Sequence, residues 1–172
     1  GRLSYDKGAA IVHTLRFLVN DDDTFFELLQ QYQSDFADST ARLNDFKVIA
    51  ESVSGMDFTA FFNEWYYGEG FPTYNLEWNK NNSQVFIEIN QNTSMSGITP
   101  LFTNDLEIKI NGTDGSSTTE RFSINTNNQI VAFSFDGEVE SIEVDPNNWI
   151  MNKAGTMTEN NEVLSVIDNE SK

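Results

Sequence analysis

The stretch Gly68-Glu69-Gly70-Phe71-Pro72-Thr73-Tyr74-Asn75-Leu76-Glu77-Trp78 decides how this chain is read. Before it, apolar residues recur three and four positions apart, the spacing of one helix face. From Pro72 onward they recur at every second position, as Tyr74, Leu76 and Trp78 do, which is the period of a strand with one buried face. The expected fold class is α+β: a small all-helical unit over residues 1–70, then an antiparallel β-sandwich over 71–150.

Working back from the break, Ile11, Leu15 and Leu18 share a helix face, with Ala9 and Val12 expected beside it. Asn20-Asp21-Asp22-Asp23 ends that helix and starts another. Thr24-x-x-Glu27 fits a capping box, and Phe25, Leu28, Leu29 and Tyr32 then lie along one side. A third helix is expected after Asn44, presenting Phe46, Ile49, Ala50 and Val53 and stopping at Gly55. Asp57 is the expected cap of a fourth, with Phe58, Phe61, Phe62 and Trp65 at helical spacing. Helices this short gain their stability by packing, so the four are expected to form one unit.

Working forward, Val85/Ile87/Ile89, Leu106/Ile108/Ile110, Phe122/Ile124, Val131/Phe133/Phe135 and Ile142/Val144 alternate with polar or small partners. Turn chemistry separates them: Asn79–Ser83, Asn111-Gly112, Asp114-Gly115, Asn125–Asn128 and Asp136-Gly137. Six or seven short strands of this kind predict a small sandwich. Residues 151–172 are polar and poorly patterned, and are expected to be a linker or a frayed end.

Composition narrows the chemistry. The 172 residues include no Cys and a single His, His13, which excludes a thiol nucleophile, a Cys-zinc knuckle and any site needing two imidazoles from this chain. The 27 Asp and Glu against 10 Lys and Arg give a net charge of −17, which argues against nucleic acid or an anionic membrane as partner. No apolar run approaches membrane-spanning length. A Cys-free, acidic, Asn-rich chain suits a secreted or periplasmic bacterial location.

Most candidate residues have an ordinary structural explanation. Asp21-Asp22-Asp23 could take Ca²⁺, but three acids at a helix start also suit its dipole, and the spacing is not that of a calcium loop. His13 points away from the apolar stripe and reads as a solvated or hydrogen-bonded side chain. The Phe58–Trp65 stripe reads as core. Asn81-Asn82-Ser83, Asn92-Thr93-Ser94, Asn111-Gly112-Thr113 and Asn169-Glu170-Ser171 match glycosylation acceptors, a pattern an Asn-rich chain produces by chance. The exception is Ser4-Tyr5-Asp6-Lys7-Gly8-Ala9-Ala10, where a Tyr hydroxyl just ahead of a helix can donate to a developing oxyanion and Gly8 permits close packing.

Tyr5-Asp6-Lys7-Gly8 through Arg16 resembles a segment of the aminopeptidase N family of zinc metallopeptidases (gluzincins). Four further landmarks follow in family order: Phe25/Phe26 with Tyr32; Asp45-Phe46 to Ser54-Gly55-Met56-Asp57; Phe61-Phe62-Asn63-Glu64-Trp65; and Gly70-Phe71-Pro72-Thr73-Tyr74-Asn75-Leu76-Glu77-Trp78. They span residues 5–78, and the strands up to Val144-Asp145-Pro146 resemble the β-sandwich that follows the catalytic domain in that family. The resemblance implies that Tyr5 stabilises the tetrahedral intermediate of peptide hydrolysis while Zn²⁺ polarises the carbonyl. A buried Tyr5 anchoring the helix start is the structural alternative. Asp6 and Lys7 are read as hydrogen-bonding around the turn.

The family's H-E-x-x-H zinc site, its second Glu and its G-x-M-E-N amine-recognition stretch are absent from this sequence. The expectation that follows is a C-terminal fragment beginning just before the catalytic tyrosine: Zn²⁺ in the parent enzyme, no metal or cofactor in this piece. Its partners would be peptide substrates and the upstream catalytic domain of the same chain. The alternative is a non-catalytic scaffold or peptide-binding module derived from the family.

Overall fold

The computed structural model describes residues 2–164. It divides into two compact units, one helical and ending at Tyr67, the other strand-built and beginning at Gly68.

In the helical unit, α1 (Arg2–Val19) buries Ile11, Thr14, Leu15, Phe17 and Val19. Ala9 and Val12, expected beside that face, are exposed instead. At about 100° per residue, the buried arc centres on Ile11, Thr14 and Leu15, with Leu18 half-buried beside them, which leaves Ala9 and Val12 on the solvent side with Tyr5. The next helix, α2 (Asp22–Asp35), begins earlier than the Thr24 capping box predicted. Asp21 is its N-cap, and the Asp21 carboxylate accepts the Thr24 N–H at 2.7 Å, so Thr24 lies inside the first turn. Phe25 and Leu28 are buried as expected.

Helix α3 (Leu43–Ser54) buries Ile49 and Ala50 and stops at Gly55, whose φ of 71° is left-handed. Its start is two residues earlier than predicted, with Arg42 as the N-cap, whose N–H donates to the Asp45 carboxylate at 2.7 Å. The expected fourth helix is split. A single turn, α4 (Thr59–Phe61), passes into a π-helical turn over Phe62–Tyr67. Asp57 still serves the start, accepting the Thr59 N–H at 2.7 Å. Phe58, Phe61, Phe62 and Trp65 are all buried. Tyr32, Phe46 and Phe62 join them edge to face, with centroid separations of 5.1 and 6.3 Å.

The strand unit holds β1 (Pro72–Asn81), β2 (Gln84–Thr93), β3 (Asn104–Gly112), β4 (Ser117–Ile124), β5 (Gln129–Ser134), β6 (Val139–Val144) and β7 (Lys153–Glu159). They form a four-stranded sheet ordered β5-β2-β1-β7 and a three-stranded sheet ordered β4-β3-β6. Leu76 pairs with Ile89 and Trp78 with Ile87, so the alternation seen in the sequence becomes one apolar sheet face. Leu76, Ile87, Ile89, Leu106, Ile108 and Ile110 are completely buried. Across the sandwich, the Tyr74 hydroxyl donates to Asn104 Oδ1 at 2.9 Å, and Phe122 meets Phe133 at 5.0 Å. The entry to this unit is tight: Gly70 has φ 90°, and a Cβ there would stand 2.7 Å from Ser94 Oγ.

Two expectations are corrected here. Residues 153–159, read as linker, form β7, and β7 runs parallel to β1, so that sheet is mixed rather than antiparallel. The strand carries no apolar alternation because it is an edge strand and its docking is polar. Asn75 Oδ1 accepts the Thr156 N–H at 3.0 Å and the Thr156 hydroxyl at 3.2 Å, where the pairing shifts register. Gly155 lies so close to β1 that a Cβ would stand 2.8 Å from the Tyr74 carbonyl oxygen. Residues 165–172, the end of the expected tail, lie outside the described residues.

Candidate functional site

Tyr5 lies within the first turns of α1 rather than ahead of it, and its side chain is 78% exposed. It is therefore not a buried anchor of the helix start. The phenol is presented to solvent on the same side of α1 as Ala9 and Val12, and its hydroxyl can donate one hydrogen bond to an oxygen of a bound molecule. Gly8 is not needed for close packing in this unit, since a Cβ would meet nothing within 4 Å. Asp6 is exposed. Lys7 Nζ reaches the Tyr66 carbonyl at 3.4 Å, a long contact that links the start of α1 to the π-helical turn.

The acidic run has the capping role. Asp21 caps α2, and Asp22 holds Arg16 through two parallel bonds of 2.8 Å, Nε to Oδ1 and a terminal guanidinium nitrogen to Oδ2. The Arg16 guanidinium also lies 5.4 Å from the centre of the Phe26 ring. The hydrogen bonds from Thr24 hold the Asp21 carboxyl below its usual range, and the Arg16 bond does the same for Asp22. Asp21 and Asp22 thus have structural partners, and among the described residues the three acids form no common ligand shell. His13 is exposed on α1. Among the described residues, no three His, Asp or Glu side chains are grouped to hold a metal ion. A His₂Glu zinc site of the kind the family resemblance implies does not fit the donors of this chain, which has one imidazole.

The glycosylation-type asparagines scatter. Asn81 and Asn92 are exposed on β1 and β2, whereas Asn111 donates to Ser141 Oγ at 3.0 Å and Glu143 Oε1 at 2.6 Å. Asn169 lies outside the described residues.

Two features escaped the sequence reading. One is Tyr66-Tyr67, exposed by 46% and 65% and stacked edge to face at 5.0 Å. The only hint of it was a pair of aromatics falling just beyond the buried stripe. The other is Asp145, a buried residue with φ 48° at the end of β6. Its carboxylate accepts the N–H groups of Trp149 at 2.7 Å and Ile150 at 3.1 Å, and the Asn152 amide at 2.7 Å. Burial pushes this carboxyl above the usual carboxylate range, and the Trp149 and Ile150 donors only partly offset it. Asp145 organises the turn that delivers the chain to β7.

No family model matches this sequence, and no curated protein matches it. Among solved structures, the fold is similar to that of Legionella pneumophila aminopeptidase A in its crystal structure with aspartic acid, at a TM-score of 0.76 and 14% sequence identity. The match covers 90% of this chain and 18% of that one, so the chain spans less than a fifth of that protein's length. At this identity the likeness is one of fold.

Proposed function

We propose that this chain is part of a zinc-dependent aminopeptidase, in which Tyr5 donates its phenolic hydrogen to the oxyanion formed when a peptide carbonyl is attacked. The observation that carries the reading is the exposed hydroxyl of Tyr5 on α1, in a fold similar to an aminopeptidase structure over 90% of the chain. The five sequence landmarks over residues 5–78 lend further support. A bound Zn²⁺ would polarise the same carbonyl, and its ligands would have to come from polypeptide other than these residues. Tyr5 contributes a hydrogen-bond donor that acts more strongly as negative charge develops on oxygen and needs no proton transfer.

The test has two arms. In the whole enzyme, Tyr5→Phe removes only the hydroxyl and is expected to lower kcat on the order of 10²–10³-fold, the loss typical of one oxyanion donor. An unchanged kcat would remove Tyr5 from the reaction. The 172-residue chain by itself is expected not to hydrolyse aminoacyl-naphthylamides with or without added zinc. Zinc-dependent turnover by it would overturn the assignment of the metal site to other polypeptide.

A further inference from the structure

We propose that the helical unit carries a groove for the carboxyl-terminal end of a peptide whose last side chain is aromatic or branched aliphatic. The groove lies between α1, α2, α3 and the π-helical turn and encloses about 460 Å³. Its walls include Val12, Leu29, Tyr32, Phe46 and Tyr66, with Arg42 among them at the start of α3. Val12 is 37% and Tyr66 46% exposed, so apolar wall area faces water and covering it with an apolar side chain is favourable.

The π-helical turn builds one wall. Its wider turn keeps Trp65 buried while Tyr66 and Tyr67 face outward, and such turns occur often at functional sites. The edge-to-face packing of Tyr66 on Tyr67 holds the wall in place.

Charge selects the occupant. Among the described residues, no carboxylate side chain lines this groove, although the chain has 27 Asp and Glu. The Arg42 main-chain N–H is taken by Asp45, but among the described residues no acid pairs with the Arg42 guanidinium. An exposed arginine among the lining residues is suited to a carboxylate held by two parallel bonds. A peptide's terminal carboxylate, adjacent to its last side chain, meets the cation and the apolar walls together. An amino terminus in the same place would face Arg42 with like charge. This inference does not depend on the role of Tyr5.

The experiment titrates the ¹⁵N-labelled 172-residue chain with acetyl-Leu-Phe bearing either a free carboxylate or a carboxamide. The free acid is expected to shift amide signals of Val12, Tyr32, Phe46 and Tyr66 and to bind about 2–5-fold tighter than the amide, the size of one exposed charge contact. Arg42→Gln should bring the acid down to the affinity of the amide and leave the amide unchanged. Arg42 is exposed, and the dispersion of the spectrum reports whether that variant stays folded. Equal binding of acid and amide would overturn the proposal. So would shifts confined to other residues, no response to either peptide up to about 10 mM, or tighter binding of an internal acid such as acetyl-Phe-Asp-amide.

Discussion

At the scale of single residues, similar carboxylates do opposite work. Asp21, Asp22, Asp57 and Asp114 are held below the usual range, chiefly by hydrogen bonds from Thr24, Arg16, Thr59 and Ser116. Each contributes stability that is present above the unfolded value and lost as pH falls. Asp145 is shifted the other way by burial, so its folded form holds a proton more tightly than the unfolded chain does. Its contribution is complete below the unfolded value of about 4 and is lost as pH rises through the folded one. Asp145→Asn, which cannot ionise, is expected to remove this loss. Urea midpoints measured from about pH 4 to 7 should therefore fall less, or rise more, with pH than in the parent. A parallel shift of the whole profile would show that Asp145 does not titrate in this window. Asp145→Ala, by contrast, strands two main-chain donors and one amide and should cost about 2–3 kcal/mol near pH 4, a cost that shrinks as pH rises.

At the scale of elements, legibility in the sequence followed periodicity. The buried stripe Phe58, Phe61, Phe62 and Trp65 was readable because burial alone dictates its spacing, yet the same spacing did not reveal that the helix changes to a π turn at Phe62. β1, β2 and β3 were readable because each buries every second side chain between two sheets. β7 was not, since Lys153, Ala154, Gly155 and Thr156 show no apolar alternation and their pairing depends on residues about 80 positions away. The close approach of Gly155 to the Tyr74 carbonyl makes that position sensitive. Gly155→Val should detach β7 and destabilise the strand unit by about 1–3 kcal/mol, through overpacking against main chain that cannot move aside. Amide exchange at Thr156 and Met157 would then accelerate well beyond that at β1. Unaltered exchange there would show that β7 tolerates a side chain against β1. The same distinction holds at the candidate site: Tyr5 was singled out by the family resemblance of its segment, while its exposure and the Lys7 contact to Tyr66 depend on how α1 packs.

For the whole molecule, the acid excess is spread along the chain, with five basic and twelve acidic groups in residues 1–70 and three and eleven in 71–150. A net charge of −17 repels itself in the folded state, and salt weakens that repulsion within a screening length of about 8 Å at physiological ionic strength. Tm is expected to rise steadily as NaCl is raised from about 10 to 200 mM, as scanning fluorimetry would record. A fall over that range would mean that local ion pairs such as Arg16–Asp22 and Arg121–Asp105 outweigh the global repulsion.

By itself the amino-acid sequence determined the division into a helical and a strand-built part, the buried face of most elements, the turn positions, and the absence of thiol or two-histidine chemistry from this chain. These follow from local properties: side-chain period, the conformations that Gly, Asn and Asp favour, and the presence or absence of a residue type. Only the tertiary structure decided that Tyr5 is exposed, that Asp145 is buried, that Arg42 meets an apolar groove, and that β7 joins β1 in parallel. Each of those depends on which distant segments share a surface, and burial and hydrogen bonding between residues far apart in the chain leave no period in the sequence.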